Sequence, residues 1–393
     1  VDRTIPMLPE VLSNDVCSLV PNEDRRTFSA VFVMDQNAGV KEQWFGETII
    51  HSNKRFTYED AQEILNDGKG LLFDELNTIN TLAKKLRVKR DKAGAVSFDQ
   101  DEVEFKLDKD GKPIDVYKKK RQDTNRMIED FMLLANEEVA THMYKHTSKT
   151  SGKDNVFVYR IHDKPDPEKI EELGSFIRAI GYDFDTDGGN VTAKKINKLF
   201  DAIEGKPEEN LIKVATIRSM AKAVYSTKNI GHFGLAFKYY THFTSPIRRY
   251  PDMMVHRILK AHLKGEKVSD NDIARYNRLA IRSSQREVEA VKAERESIKY
   301  KQVEYMLDKV GQEFDGVITG ATEWGVFVEE KNSKAEGLVR ISTLGDDYYT
   351  LDPKQYHIIG ERSKKKFALG DKVRVKLTKA DLDAKNLDFE LVQ

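Results

Sequence analysis

A short run in the second half of the chain, HFTSPIRRYPDMMVHR at residues 242–257, contains two adjacent arginines, Arg248 and Arg249. The guanidinium group is a planar fork of donors that matches phosphate oxygens in pairs and keeps its charge at every relevant pH. A helix start is predicted at Pro251 and Asp252, and a helix N-terminus offers free amide donors to an anion. The pattern therefore predicts a phosphate-binding site. The alternative is that Arg248 pairs with a buried carboxylate while Arg249 faces water.

The segment before these arginines, FGLAFKYYTHF, is rich in aromatic residues. Rings beside phosphate-binding arginines suit a single-stranded nucleic acid, because base stacking on a ring contributes about 1–3 kcal/mol per base. Aromatic residues in an apolar stretch are more often part of a core, and we expect this of most members of the group. The residues concerned are Phe233, Phe237, Tyr239, Tyr240 and Phe243.

The last eighty or so residues have the texture of a small β-barrel of the size of an OB-fold, with short strands separated by turns. In ATEWGVFVEE, Trp324 and Phe327 are three residues apart around Gly325, so a turn or bulge there presents both rings on one face. Basic residues such as Arg340 and Arg374 accompany them. Barrels of this kind commonly bind single-stranded RNA or DNA. The alternative is that each ring belongs to the barrel core.

Composition describes a soluble globular protein of at least two domains. The chain has 393 residues, and Lys plus Arg and Asp plus Glu both number 65, so a nucleic-acid site must be a local patch. The single cysteine, Cys17, fits a reducing compartment, and we expect it to be buried. Neither a membrane span nor a signal peptide is recognisable. We expect a cytoplasmic monomer without a membrane partner.

Periodicity and turn signals predict the elements that position these residues. The pattern predicts β-hairpins at residues 27–51 and around Asp110-Gly111, a helix from Asp123, and a charged helix at 283–307. Short basic runs such as KKKR are expected to be solvated surface. Helices and antiparallel strands followed by a small barrel indicate an α+β fold.

Several motifs in fixed order now resemble one family. HFGLAFKYYTHFTSPIRRYPDMMVHR is similar to the signature of the RNB catalytic domain of the ribonuclease II and ribonuclease R exoribonucleases, and IPMLPEVLSNDVCSL, NRMIEDFMLLANEEVA and YRIHDKPDPEKI follow the same family. FDGVITGATEWGVFVEE resembles an S1-type RNA-binding OB-fold. The HDKP motif resembles ribonuclease R more than ribonuclease II. The resemblance implies an RNB catalytic portion at 1–308 and an S1-type barrel at 309–393.

The resemblance also implies an activity and roles for individual residues. Family members are processive 3′ to 5′ hydrolases that thread single-stranded RNA into a channel and release nucleoside monophosphates, with magnesium held by aspartates. By resemblance, Arg248 is catalytic and contacts the phosphate at the scissile end. Tyr58 and Phe98 match rings near the terminal bases, while Arg126 and Glu129 match groups that hold the RNA end. The other residues expected to contact RNA are Arg249, Tyr250, Glu294, Trp324, Phe327 and Arg340.

The sequence also departs from the family pattern. The family's aspartate cluster lies upstream of the position matching Val1, and DFDTDGG at 183–189 reads as a glycine-rich turn in the wrong place. We therefore expect magnesium ligands to be absent, the amino-terminal metal-binding segment of the same protein to be a missing partner, and the chain alone to be inactive. Arg340 stands where a histidine is frequent. A non-enzymatic RNA-binding or scaffold protein remains an alternative, as does a translation-linked OB-fold protein for the last eighty or so residues.

Overall fold

The computed structural model describes residues 3–96, 102–119, 121–147, 156–206, 208–266, 269–345, 347–352 and 357–392. Mixed helices and short antiparallel strands come first, and a barrel region follows. The elements before the barrel are β1 (Asp24–Met34), β2 (Val40–His51), α1 (Tyr58–Asp67), α2 (Phe73–Ala93), β3 (Val103–Leu107), β4 (Pro113–Lys118), α3 (Asp123–Thr147), β5 (Tyr159–Ile161), α4 (Pro167–Ala179), α5 (Ala193–Ile203), α6 (Glu209–Ser219), β6 (Val224–Ser226), α7 (Tyr250–Leu263) and α8 (Asp270–Leu307).

Helix α3 lies at the centre of the first part, as its apolar spacing predicts. Val139 and Met143 are fully buried in the main core together with Val255 and Leu259 of α7. Asn136 ties the helix to the arginine motif, because its side chain donates to the Tyr240 hydroxyl at 3.2 Å and accepts from the Phe243 amide at 2.8 Å. This buried amide fixes the motif against α3.

Both predicted hairpins are present. Strands β1 and β2 pair antiparallel, and β3 pairs with β4 across the turn at Gly111, whose φ of 80° favours glycine. Lys112 Nζ lies 2.6 Å from Asp308 Oδ2, and Lys301 Nζ donates to the Gly111 carbonyl at 2.6 Å. The tip of the β3–β4 hairpin is therefore held at the carboxyl end of α8.

Helix α8 begins earlier than the sequence pattern indicated. It starts at Asp270 rather than at 283, because Ser269 and Asp272 form a capping box: the Ser269 side chain accepts from the Asp272 amide at 3.2 Å, and the Asp272 carboxylate accepts from the Ser269 amide at 3.3 Å. The helix contains 38 residues, about 57 Å at 1.5 Å per residue. Val288 and Val291, near the middle of the helix, are 50% and 38% exposed.

The strands of the carboxyl-terminal region are β7 (Glu313–Thr322), β8 (Gly325–Glu330), β9 (Glu336–Arg340), β10 (Tyr349–Asp352), β11 (His357–Gly360), β12 (Lys366–Ala368), β13 (Lys372–Asp381) and β14 (Asn386–Leu391). Five of them form a closed barrel in the order β13-β14-β9-β8-β7, beside a three-stranded sheet β10-β11-β12. Inward-facing residues such as Val326, Val328 and Phe389 are fully buried and alternate with outward-facing ones. The predicted barrel of OB-fold type is therefore confirmed.

Two further expectations have clear outcomes. Cys17 is exposed, so the prediction that it is buried was wrong: it follows a short helical turn at Val11–Val16 in which no residue is buried. No helix in the described part of the chain is both long and apolar enough to cross a bilayer.

Candidate nucleic-acid interface

The two adjacent arginines lie on a tight turn directly before α7. The amides of Arg248 and Arg249 both donate to the Ser245 carbonyl, at 3.3 and 3.0 Å. Asp252, in the first turn of α7, is completely buried and accepts from the Ser245 amide at 2.8 Å and from Arg249 Nη2 at 2.7 Å. One carboxylate therefore binds both ends of the turn that carries Arg248.

The ion pairing is the reverse of the alternative considered from the sequence. Arg249 pairs with the buried carboxylate of Asp252, whereas Arg248 is exposed and has no ion pair among the residues described. The spacing explains the outcome, because Arg249 and Asp252 are three apart and a helical turn brings them together. Arg248 keeps its donors available for an anion.

His242 lies beside this turn, close to several positively charged arginines. Its Nδ1 lies 2.8 Å from the Tyr225 hydroxyl, and the Arg160 guanidinium lies over the Tyr225 ring at 4.6 Å. Burial, followed by the charges of Arg249, Arg160, His232 and Arg248, lowers the pKa of His242 to about 2. The imidazole is therefore neutral at physiological pH, and the local charge comes from arginines.

Buried histidines predict a loss of stability in mild acid. Burial also lowers the pKa of His232 to about 3 and of His142 to about 4. The unfolded chain takes up these protons near pH 6.5 and the folded protein does not, so stability present above pH 6.5 is lost as the pH falls toward 4. Glu137 changes stability with pH in the opposite direction, because burial raises its pKa to about 7. Its contribution to the free energy of unfolding is lost as the pH rises from 4.5 to 7. The combined contribution of His242, His232 and His142 outweighs that of Glu137.

Urea unfolding measured from pH 7.5 down to pH 5 checks this expectation. The free energy of unfolding is expected to fall with pH, with His242 contributing at most about 1.4 kcal/mol per pH unit. His242→Asn is expected to flatten the profile, because it removes one of the buried groups that take up a proton on unfolding. A profile that is flat for the parent chain would contradict the prediction.

A cavity of about 900 Å³ lies among α1, the β3–β4 hairpin, α3 and the arginine motif. It brings together three residues predicted to contact RNA: Tyr58, Glu129 and Arg249. Tyr58 begins α1 and is 45% exposed. Glu129 Oε2 lies 3.0 Å from Arg121 Nη2. The cavity has the volume of a typical ligand site and combines a ring with cationic groups.

A second cavity of about 690 Å³ adjoins the first, since Arg121, Glu129 and Leu133 line both. Arg126 lines this second cavity and not the first, although it is one turn from Glu129 on α3. The structure thus places these two predicted residues side by side, at the junction of two neighbouring spaces.

Tyr250 and Glu294 lie away from these cavities. Tyr250 is 45% exposed and lines a narrow crevice between α7 and α8. Glu294 is exposed on α8, seven residues beyond Glu287, and therefore lies on the same helix face about 10 Å farther along. Glu287 binds Arg160 through two contacts at 2.6 and 2.9 Å. Phe98 falls outside the described residues.

Sequence reasoning missed the residues that the β3–β4 hairpin contributes to the first cavity. Lys118, Lys119 and Arg121 belong to the KKKR run, which was interpreted as solvated surface, yet all three line the 900 Å³ cavity. Tyr117, on the same strand, lines it too. The hairpin itself was predictable, but its docking depends on contacts between Lys112 and Asp308 and on others equally distant in sequence.

On the barrel, Phe327 and Arg340 lie on one outward face, and Trp324 lies in the turn directly before β8. Gly325 pairs with Arg340 and Phe327 with Leu338 across β8 and β9, and the Ile341 amide donates to the Trp324 carbonyl at 2.9 Å. Phe327 is half-buried over Gly320. Trp324 is 76% exposed.

Gly325 permits this arrangement. Its φ is +143°, and a Cβ there would lie 2.0 Å from the Val339 carbonyl oxygen, so only glycine fits. Arg340 Nη2 lies 3.3 Å from Asp388 at the edge of the same face. Arg374 is instead bound to Glu313 and Asp315 on the β7–β13 pair, so it does not join the others.

The described residues do not fit a magnesium ion. Carboxylates do line the 900 Å³ cavity, but Glu104 binds Lys119 at 3.2 Å and Glu129 binds Arg121 at 3.0 Å. In the described part of the chain, no group of three or more His, Cys, Asp or Glu side chains has an arrangement that could hold a metal ion. Phosphodiester hydrolysis with metal ions needs several such ligands.

Comparison with known proteins identifies the family. The model of the RNB domain matches residues 1–265. The chain belongs to the RNB family. The S1 RNA binding domain matches residues 307–391 of this RNB chain, which agrees with the barrel. The prediction of an RNB catalytic portion followed by an S1-type OB-fold is therefore confirmed.

Individual relatives of this RNB chain are ribonucleases R. This chain is 39% identical to Ribonuclease R of Aquifex aeolicus, and the match covers 100% of this chain and 56% of the relative. It is 37% identical to Ribonuclease R 1 of Lactococcus lactis, with 99% of this chain and 48% of that relative covered. The chain spans about half the length of these curated relatives. RNase R of Mycoplasma genitalium, solved in complex with ribose methylated single-stranded RNA, superposes with a TM-score of 0.90 at 27% identity, over 98% of this chain and 61% of that one.

Proposed function

We propose that this chain supplies the RNA channel of a processive 3′ to 5′ exoribonuclease that hydrolyses single-stranded RNA to nucleoside monophosphates. The observation that carries the proposal is Arg248, an arginine without an ion pair among the described residues, on a turn that buried Asp252 fixes beside a 900 Å³ cavity. Its role is to bind the phosphate at the scissile end and to stabilise the charge that develops there.

The remaining residues have more distributed roles in the proposal. Tyr58, Arg126 and Glu129 contact the terminal nucleotides, with Phe98, and Arg249 supports the arginine turn. On the barrel, Trp324, Phe327 and Arg340 bind the strand before it enters the channel. Tyr250 and Glu294 act at the periphery. The two domains divide at residues 308 and 309, and the protein works as a cytoplasmic monomer.

Magnesium enters the proposal as the cofactor of the whole protein. The family resemblance implies aspartate ligands for it, and no group of described residues fits it. The chain alone then binds single-stranded RNA and does not hydrolyse it. The same observation favours a second candidate function, a non-catalytic RNA-binding protein that uses the same cavity and barrel.

Binding by the chain alone is the first test. Fluorescence anisotropy with a labelled single-stranded RNA is expected to show an affinity that falls steeply between about 50 and 200 mM salt, because phosphate contacts release counterions. Trp324→Ala is expected to weaken binding about 5- to 150-fold through the loss of one stacked base. The control is Tyr348→Ala, a 68% exposed ring beside β10 and away from the predicted face. Salt-independent binding would contradict the proposal.

Hydrolysis by the intact gene product separates the two candidates. The exoribonuclease releases nucleoside monophosphates from single-stranded RNA when magnesium is present and stops when EDTA removes it. The second candidate binds RNA with the same salt dependence and releases no nucleotide under either condition.

A further inference from the structure

The β3–β4 hairpin contributes an unassigned aromatic ring to the 900 Å³ cavity. Tyr117, the penultimate residue of β4, lines the cavity and is 49% exposed. Neither its ring nor its hydroxyl has a partner among the residues described. A large ring left half in solvent inside a cavity is an available surface for another flat group.

The charged residues around Tyr117 largely neutralise one another. Lys119 Nζ lies 3.2 Å from Glu104 and 3.8 Å from Glu102, and all three line the cavity. The hydrogen bond that Lys119 donates to the Glu104 carboxylate raises the pKa of Lys119. This end of the hairpin therefore offers little net charge to a phosphate, in contrast to the turn that carries Arg248.

The strand that carries the ring is anchored from the far end of the hairpin. Lys112 binds Asp308, and Lys301 binds the Gly111 carbonyl, both at 2.6 Å. Five paired positions along β3 and β4 connect this anchor to the cavity end, where Glu104 lies opposite Tyr117. A ring on an anchored strand loses less freedom when it stacks than a ring on a mobile segment would.

We propose that Tyr117 stacks on a base of the single-stranded RNA in the channel. The inference deepens the proposed function and rests on it. Bases then face the side of the cavity that the hairpin and α1 form, where Tyr117 and Tyr58 provide rings, while the phosphates face the arginine turn. Only unpaired bases present a free face to these rings, so the arrangement selects single strands.

Three variants on exposed positions test the proposal. Tyr117→Ala is expected to weaken binding of single-stranded RNA to the chain about 5- to 150-fold, and Tyr117→Phe is expected to retain parental affinity because the ring remains. The matched control is Ile114→Ala, an apolar residue on the same strand with 54% exposure. Thermal melts verify that each variant is folded.

Two readouts distinguish stacking from other roles. The slope of log affinity against log salt is expected to stay the same in Tyr117→Ala, because no phosphate contact is lost. An RNA carrying 2-aminopurine is expected to show fluorescence quenching by the parent chain that decreases in Tyr117→Ala. A changed slope, unchanged quenching, or an equal loss in Tyr117→Phe would each overturn stacking by this ring.

Failure of the inference is distinct from failure of the proposed function. If the parent chain binds RNA and Tyr117→Ala behaves like Ile114→Ala, the stacking role is wrong and the channel stands. If the parent chain does not bind single-stranded RNA, the proposed function is wrong, and the role of Tyr117 is wrong with it.

Discussion

Replacing Asp252 by alanine is expected to lower the free energy of unfolding by about 3–5 kcal/mol, because it leaves a largely buried guanidinium without its counter-ion. Asp252 is completely buried, and the Arg249 side chain that it binds is only 19% exposed. The substitution also removes the acceptor of the Ser245 amide. Urea unfolding of the chain, followed by circular dichroism, measures the change.

An exposed pair of the same spacing serves as the control for Asp252. Arg286 and Glu289 on α8 also form an ion pair three residues apart, with side chains 64% and 60% exposed. Glu289→Ala is expected to cost less than about 1 kcal/mol, since exposed pairs contribute little. Similar losses in both variants would show that the buried carboxylate does not organise the turn.

Replacing Arg248 by alanine is expected to lower the turnover of the intact gene product about 10²- to 10³-fold, the effect of removing one donor to a developing negative charge. Because Arg248 is exposed and has no ion pair among the described residues, the fold is expected to be unaffected. Single-turnover release of nucleoside monophosphates, measured with saturating RNA, separates this loss from weaker binding.

Two further substitutions define what Arg248 contributes. Arg248→Lys keeps the charge and loses the planar fork, so an intermediate rate is expected. Arg278→Ala, at an exposed position on α8, is the control for general loss of positive charge. Degradation by Arg248→Ala at the parental rate would show that the assigned role is wrong.

The sequence predicts those features of the fold that depend on local patterns. The apolar spacing of α3 and the Asp110-Gly111 turn determine elements that the structure contains. The start of α8 was missed although the capping box at Ser269 and the apolar residues that follow it are both local signals. Ile273, Tyr276 and Leu279 recur every three residues there and pack against the main core. The exposed position of Cys17 depends on which neighbours pack against it, and composition carries no information about that.

The candidate site is less predictable, because its geometry comes from contacts between distant segments. The sequence identifies Arg248 and Arg249 as a pair but does not indicate which one binds a carboxylate; the first turn of α7 decides it for Arg249. Only the family resemblance predicted Tyr58 and Glu129 as site residues. Tyr117 was missed because nothing local shows that its hairpin docks against α8 and reaches the cavity.

Helix α8 connects the parts of the protein through its length. Glu287 binds Arg160 beside the arginine motif, while Lys301 and the following Asp308 hold the hairpin tip just before the barrel begins. One residue inserted between these contacts would rotate everything beyond it by about 100° and advance it about 1.5 Å. Seven inserted residues would restore the direction to within about 20° and displace the barrel by about 10 Å. The number of residues in α8 therefore sets the angle at which the barrel face that carries Phe327 and Arg340 meets the 900 Å³ cavity.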